Sequence, residues 1–229
     1  MSFIQSSFGG LPEITKNLMI VNAIILLAVT LYPELYKVVS LYYFSNEAFR
    51  PWQIVTHMFT HANFLHLFFN MFSLFMFGGV LERLLGPQRF LAYYLMTGFG
   101  GAFLHLTVNV LQVYNLSGEI WLTKEMIYAL DIPFAEKKEL MGIFMTPMVG
   151  ASGAVFGILT AFGMLFPDAR LMLLFPPIPI KAKIFIPIII ALELWNGFTS
   201  HGNIAHFAHL GGALFGFFIM KMWRKRHIF

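Results

Sequence analysis

The sequence predicts an all-α membrane protein, a six-transmembrane-helix bundle with both termini cytoplasmic, on three observations. The first is composition. Of 229 residues, 58% are hydrophobic, 11% are charged and 27 are phenylalanine, with a mean hydropathy of +0.73, whereas a soluble domain carries about 25% charged residues. Such a chain lacks the polar residues to coat a surface in water, so lipid is its solvent. The second is a series of six apolar segments that approach the ~20 residues a spanning helix needs. The third is an uneven distribution of Lys and Arg between alternate connections, the pattern that fixes orientation in a membrane. The absence of cysteine excludes a disulfide-built scaffold, and the apolar content excludes a disordered chain. The net charge of +4 is assigned to orientation rather than to nucleic-acid binding.

The six segments belong to one domain, residues 1–229. The first covers about 18–38. The second covers about 64–84 and follows Asn63, a residue type suited to cap a helix N-terminus. The third covers about 90–113, and the fourth runs from about 149 to 166, where Phe166-Pro167-Asp168 breaks the helix. The fifth, about 184–199, follows the turn Pro176-Pro177-Ile178-Pro179 and contains Glu193, an ionisable group that is costly in a span unless it faces the protein interior. The sixth, about 203–220, ends in a basic tail. The first 17 or so residues lack the features of a cleaved secretory signal, so no segment is expected to be removed.

One set of connections carries ten basic residues, Lys16, Arg83, Arg89, Arg170, Lys181, Lys183, Lys221, Arg224, Lys225 and Arg226, against three acidic ones. The other carries five, Lys37, Arg50, Lys124, Lys137 and Lys138, against seven acidic ones. The first set is therefore read as cytoplasmic. Even-numbered spans then run from outside to inside, and the first turns of the second, fourth and sixth spans share the outer third of the bilayer.

Those turns carry the uncharged polar residues. His66 and Asn70 are four apart and share a helix face, with His66 about 3 to 5 Å and Asn70 about 10 Å below the helix start at 1.5 Å per residue. Ser152 lies within Gly150-Ala151-Ser152-Gly153, and His206 and His209 lie near the start of the sixth span. Gly153 and Gly157 form one stripe of small residues and Gly212 and Gly216 another, a pattern that lets membrane helices approach closely. His209 shares its stripe with Gly212 and Gly216. A serine hydroxyl beside an imidazole is the minimum for an activated nucleophile, the histidine taking the hydroxyl proton and later protonating the leaving amine. His66, Asn70 and the Ser152 amide are candidate donors to the oxyanion. Glu193 is expected near mid-membrane and away from the site, so the arrangement reads as a dyad.

Other intramembrane chemistries lack their residues. No His-Glu-x-x-His motif is present, and His57, His61 and His66, whose spacing sketches a metal site, have no carboxylate base near them in sequence. An aspartyl mechanism needs paired embedded aspartates, and Asp131 and Asp168 fall in loops on opposite sides.

The chain as a whole resembles the rhomboid intramembrane serine proteases. The resemblance rests on Trp52-Gln53 ahead of His57, then His61, His66 and Asn70, then Gly78-Gly79-Val80-Leu81-Glu82-Arg83, Gly150-Ala151-Ser152-Gly153, and Ala205-His206-Phe207-Ala208-His209-Leu210-Gly211-Gly212 with Gly216. It implies a rhomboid-like six-helix bundle with Ser152 as nucleophile, His209 as general base, and His66, Asn70 and the Ser152 amide as the oxyanion hole. His206 is the rival base, but glycines at three and seven positions after His209 favour His209. Trp52, His57 and His61 are implied to stabilise the first loop, and Glu82 and Arg83 a structural turn. Two departures stand out. Phe156 replaces a tyrosine that packs on the imidazole, and Gln53 replaces an arginine, which puts that charge's loop contacts in doubt. The connection 114–148 is long and amphipathic, and is expected to lie on the outer surface.

The expectation is therefore a serine endopeptidase that cleaves transmembrane segments of other membrane proteins near their outer ends, without cofactor or metal. Its partners would be such substrates and the lipid bilayer, not nucleic acid, and the sequence leaves the oligomeric state open. The expected location is a multi-pass position in a bacterial cytoplasmic membrane, the site opening outward. The alternative is an inactive rhomboid-like protein that binds membrane clients. A transporter would be expected to show inverted repeats or a carboxylate pathway, of which Glu193 is the sole hint.

Overall fold

The computed structural model describes residues 10–172, 178–199 and 205–226. Pro176 and Pro177 of the expected turn lie outside the described residues, as does Asn203, the expected start of the sixth span. Six longer helices correspond to the six segments: α1 (Glu13–Leu31), α2 (Phe64–Leu85), α3 (Pro87–Ser117), α4 (Ser152–Leu165), α5 (Ala182–Thr199) and α6 (Ala205–Lys225). A two-stranded antiparallel hairpin, β1 (Arg170–Met172) with β2 (Pro179–Lys181), joins α4 to α5. The chain is thus nearly all helical.

Four of these helices, α1, α2, α3 and α5, are long and apolar enough to cross a membrane. At 14 residues, α4 extends only about 21 Å at 1.5 Å per residue, short of the ~30 Å hydrocarbon core. α6 has length enough, at 21 residues, but carries His206, His209 and basic residues in its last turn.

Several ends differ from the segments read in the sequence, each for a local reason. α1 stops at Leu31 because Tyr32 precedes Pro33, and a residue before proline is pushed out of helical geometry. A separate short helix, Glu34–Val39, follows. At its other end the N-cap, Pro12, offers no side-chain acceptor. The Glu82 carboxylate of α2 takes that role, accepting from Ile14 N at 2.9 Å, from Thr15 N at 2.7 Å and from Thr15 Oγ1 at 2.7 Å. Arg83 donates to Gly10 O at 3.0 Å. The structural turn implied for these two residues is therefore a clasp between the start of α1 and the end of α2. α3 runs on to Ser117 and ends at Gly118, whose φ of 76° suits the left-handed C-cap position. α4 begins at Ser152 rather than near 149, because Met148 pairs with Leu41 in an extended bridge and Gly150 has φ 121°.

The core lies where α3, α4 and α6 meet, with Tyr93, Tyr94, Ala154, Ile158 and Met220 almost wholly buried. α4 is buried nearly all round, as a central helix must be. Its glycines make the contact possible. A Cβ on Gly212 would stand 1.9 Å from Gly153 O, and one on Gly216 would stand 2.9 Å from Gly157 Cα, so the two stripes read in the sequence face each other. α5 is different. Among its residues only Ala182 and Ile186 are buried, and it leans against α6 and more lightly against α4.

Two loops complete the fold. Gln53, fully buried, knits the first loop by donating to Ala48 O at 2.9 Å and Lys37 O at 3.1 Å and accepting from Arg50 N at 3.1 Å. A neutral amide thus serves where the resemblance left a charge's contacts in doubt. The connection after α3 folds into two short helices, Lys124–Ala129 and Phe134–Met145. It has its own core of Leu122, Ile127, Leu140, Ile143 and Phe144, closed against Tyr43. Trp121 and Tyr128 stay exposed, so the segment is a packed cap that keeps aromatic side chains on its surface.

Candidate active site

Ser152 opens α4, and the first amides of a helix have no intrahelical acceptor. The preceding residues are held by the bridge at Met148 and by Gly150 N, which donates to His57 O at 2.9 Å. Gly150 is required twice over. Its φ is positive, and a Cβ there would lie 2.8 Å from both Cε1 and Nε2 of His66 and 3.7 Å from Ser152 Oγ. The absent side chain is what lets the His66 ring approach the serine.

His209 lies one turn into α6. Its Nε2 is 2.8 Å from Ser152 Oγ, while Phe156 stacks flat on the imidazole at 4.4 Å with 5° between the planes. The ring of Phe156 therefore keeps the packing expected of the tyrosine it replaces. The other ring nitrogen, Nδ1, is 2.9 Å from Glu193 Oε2 on α5. This corrects the expectation that Glu193 lies away from the site. Glu193 stands six residues before the end of α5 and His209 four residues after the start of α6, about 9 and 6 Å from those ends at 1.5 Å per residue. The two helices run antiparallel from a common connection, so the two residues share a depth. The carboxylate has 19% of its side-chain area exposed.

His206 does not touch Ser152. Its Nδ1 meets the same Glu193 Oε2 at 2.6 Å, and its ring lies edge-on to His209. Glu193 was expected apart from the serine, and the signal for it was present: it is a carboxylate in the middle of a predicted span, where such a group is expected to have a partner.

On α2, the side chain of Asn63 caps the helix by accepting from His66 N at 2.8 Å, as expected from the sequence. Ala62 N points at His66 Nδ1 at 3.5 Å, which leaves Nε2, the atom nearest Gly150, to carry the ring proton. Asn70 donates one amide hydrogen to His66 O at 2.9 Å. Its second N–H remains for another acceptor.

His57 and His61 belong to the scaffold. Both are 1% exposed, and His57 Nδ1 bonds to Gln53 O at 2.9 Å. Burial lowers the His57 pKa to about 4, and burial with the neighbouring His66 lowers that of His61 to about 3. Both are held neutral, and among the described residues no carboxylate is hydrogen-bonded to them. Among the described residues, the group with ligand atoms close enough to share a metal ion is instead Glu193, His206 and His209.

The chemistry available to this arrangement is proton transfer from a serine hydroxyl to an imidazole whose far side is bonded to a carboxylate. Comparison with known proteins bears on the family. Rhomboid protein 1, mitochondrial, of Saccharomyces cerevisiae is 29% identical over 180 residues, 76% of this chain and 43% of the relative. Presenilin-associated rhomboid-like protein A, mitochondrial, of Danio rerio is 27% identical across 99% of this chain and 54% of its own length. RHOMBOID-like protein 12, mitochondrial, of Arabidopsis thaliana is 30% identical across 70% of this chain and 43% of its own. The chain thus spans about half the length of the curated relatives it matches, and their mitochondrial setting does not fit the bacterial membrane expected from the sequence. The rhomboid domain matches residues 48–226, which includes every residue of the site, and the chain therefore belongs to the rhomboid family.

Proposed function

We propose that this rhomboid-family membrane protein is a serine endopeptidase that cuts transmembrane segments of other membrane proteins near their outer ends. The observation that carries the reading is the 2.8 Å contact between Ser152 Oγ and His209 Nε2. Ser152 Oγ attacks the scissile carbonyl carbon as His209 Nε2 takes the hydroxyl proton. The resulting oxyanion is met by His66 Nε2–H, the free N–H of Asn70 and the Ser152 amide, donors typically worth about 3 to 4 kcal/mol each. On collapse, His209 returns the proton to the leaving amine, and an ester remains on Ser152. Water then attacks the ester, His209 taking and returning a proton as before. Throughout, Glu193 Oε2 holds the Nδ1–H, which fixes the tautomer that leaves Nε2 free as a base and stabilises the imidazolium. The site is thus a serine, histidine and glutamate set rather than a dyad.

The reading takes all six helices as spanning, with α4 starting below the outer surface and both termini on the cytoplasmic side. On this reading Ser152 lies beneath the interface, where a substrate helix must unwind to offer a peptide bond, because unpaired backbone groups are costly in lipid. Substrates with helix-weakening Gly or Pro near the cut are therefore favoured, and the resemblance to rhomboid proteases adds a small residue before the scissile bond. The test is cleavage of reconstituted single-span substrates by the wild type and by Ser152→Ala, with labelling of Ser152 by a fluorophosphonate. Cleavage and labelling that both vanish in Ser152→Ala are expected. Cleavage that survives in Ser152→Ala overturns the reading, and a folded wild type that neither cuts nor labels points to an inactive client-binding relative.

A further inference from the structure

Three side chains from two helices converge behind Ser152, and the reaction needs only two of them. His206 and His209 are three residues apart and so share a face of α6. Both direct Nδ1 at one atom, Glu193 Oε2, at 2.6 and 2.9 Å. The three ligand atoms lie within 4.8 Å of one another. Orienting His209 requires one carboxylate, and His206 has no part in that step, yet it presents the same nitrogen to the same point. The set is partly accessible, with 16, 18 and 19% of the side-chain area of His206, His209 and Glu193 exposed.

We propose that Glu193, His206 and His209 form a binding site for a divalent cation of the zinc type, and that its occupation switches the serine off. Two imidazole nitrogens and one carboxylate oxygen are ligands that suit Zn2+, with a water completing a tetrahedron. The same nitrogens disfavour Mg2+ and Ca2+, which take oxygen ligands. Zn–N bonds of about 2.0 to 2.1 Å place tetrahedral ligand atoms about 3.3 Å apart, so the present hydrogen-bonded set needs to open by roughly half an ångström on the measured contacts. The protons balance without a further reagent. In each imidazole the proton on Nδ1 relocates through water to Nε2, and the Nδ1 lone pair turns to the metal. His209 Nε2 then carries a hydrogen aimed at Ser152 Oγ and can no longer accept the hydroxyl proton. Inhibition follows from a change of tautomer, with Ser152 left in place.

This inference rests on His209 as the general base only for its inhibitory consequence, so binding and activity are measured separately. Calorimetric titration of Zn2+ into the detergent-solubilised full chain is expected to show one site, weakened at least about tenfold in His206→Ala and in Glu193→Gln, the scale on which lost ligand support acts. Zn2+ is expected to stop wild-type cleavage, with a chelator restoring it. His206→Gln, which keeps a hydrogen-bond donor to Glu193, is expected to retain turnover within about threefold and to resist the metal. Absence of Zn2+ binding, or binding and inhibition undiminished in His206→Ala, overturns the proposal. Where a variant does not fold, Co2+ absorption of the unaltered protein decides, because an intense tetrahedral band supports the site and a weak octahedral one rejects it. Zinc binding that depends on His206 in a chain that cuts nothing would leave the metal site standing and the protease reading fallen. Cleavage without zinc binding would do the reverse.

Discussion

His57 and His61 form one pair of histidines, and His206 and His209 form another, each pair spaced about one helical turn apart in sequence. What separates them is what their nitrogens meet. The first pair is sealed to 1% exposure, with His57 tied to a backbone carbonyl. The second bridges a carboxylate, and through His209 a hydroxyl. A histidine bonded to a carbonyl in a closed pocket has nowhere to send a proton, whereas one held between a carboxylate and a hydroxyl has both a source and a stabiliser. Residue type and spacing are alike in the two pairs, and the partners decide between scaffold and chemistry.

The sharpest break of this comparison is to remove one member of each pair. His209→Ala is expected to lower cleavage by about a thousandfold or more, the scale on which loss of a serine protease base acts, while the melting temperature in detergent stays within a few degrees. His57→Ala is expected to do the opposite and lower the melting temperature, because it empties a site where the ring is 1% exposed and removes its bond to Gln53 O, a loss of about 2 to 4 kcal/mol. An active His209→Ala, or a His57→Ala that melts like the wild type yet is inactive, would undo the assignment of the two pairs.

Glu193→Gln probes the next link. Glutamine can still accept from His209 Nδ1–H but carries no charge, so the fold should persist while turnover falls. A kcat lower by about a hundredfold with KM little changed is expected, in line with large losses when a triad carboxylate is neutralised, and Glu193→Asp should recover part of it. Equal losses in kcat and melting temperature would mean that Glu193 only props α5 against α6.

How far the sequence alone led can be judged on these same residues. Ser152, His209 and the two glycine stripes were legible because few residue types are tolerated where helix backbones touch in lipid, and each departure from the apolar background is conspicuous. Asn63 was legible as a cap for the same kind of reason. Glu193 was visible but misplaced, because its depth was reckoned from a span taken alone. The antiparallel pairing of α5 with α6 sets that depth, and pairing is a tertiary fact. The start of α4 was missed by three residues, since nothing local announces that Met148 would pair with Leu41, 107 positions earlier in the chain. The Glu82 clasp on α1 was hidden similarly. Its acceptors and donors are 67 and 68 residues apart, and only the folded chain brings them together.

Acid sharpens the comparison with the smallest effect. His57 and His61 titrate near 6.5 when unfolded but only at about 4 and 3 in the folded protein, where burial penalises the charged form. Above pH 6.5 both states are neutral and the pair contributes nothing to pH dependence. As pH falls from 6.5 through about 4, the unfolded chain takes up protons that the folded chain refuses, and stability is lost with each step. The groups nearest them, His105 beside His57 and His66 beside His61, act in the same direction. Thermal melting in detergent should therefore decline between pH 7 and pH 4, and the double variant His57→Gln with His61→Gln, although less stable at neutral pH, should show a flatter decline. A decline of unchanged slope in that variant would place the acid sensitivity outside the first pair.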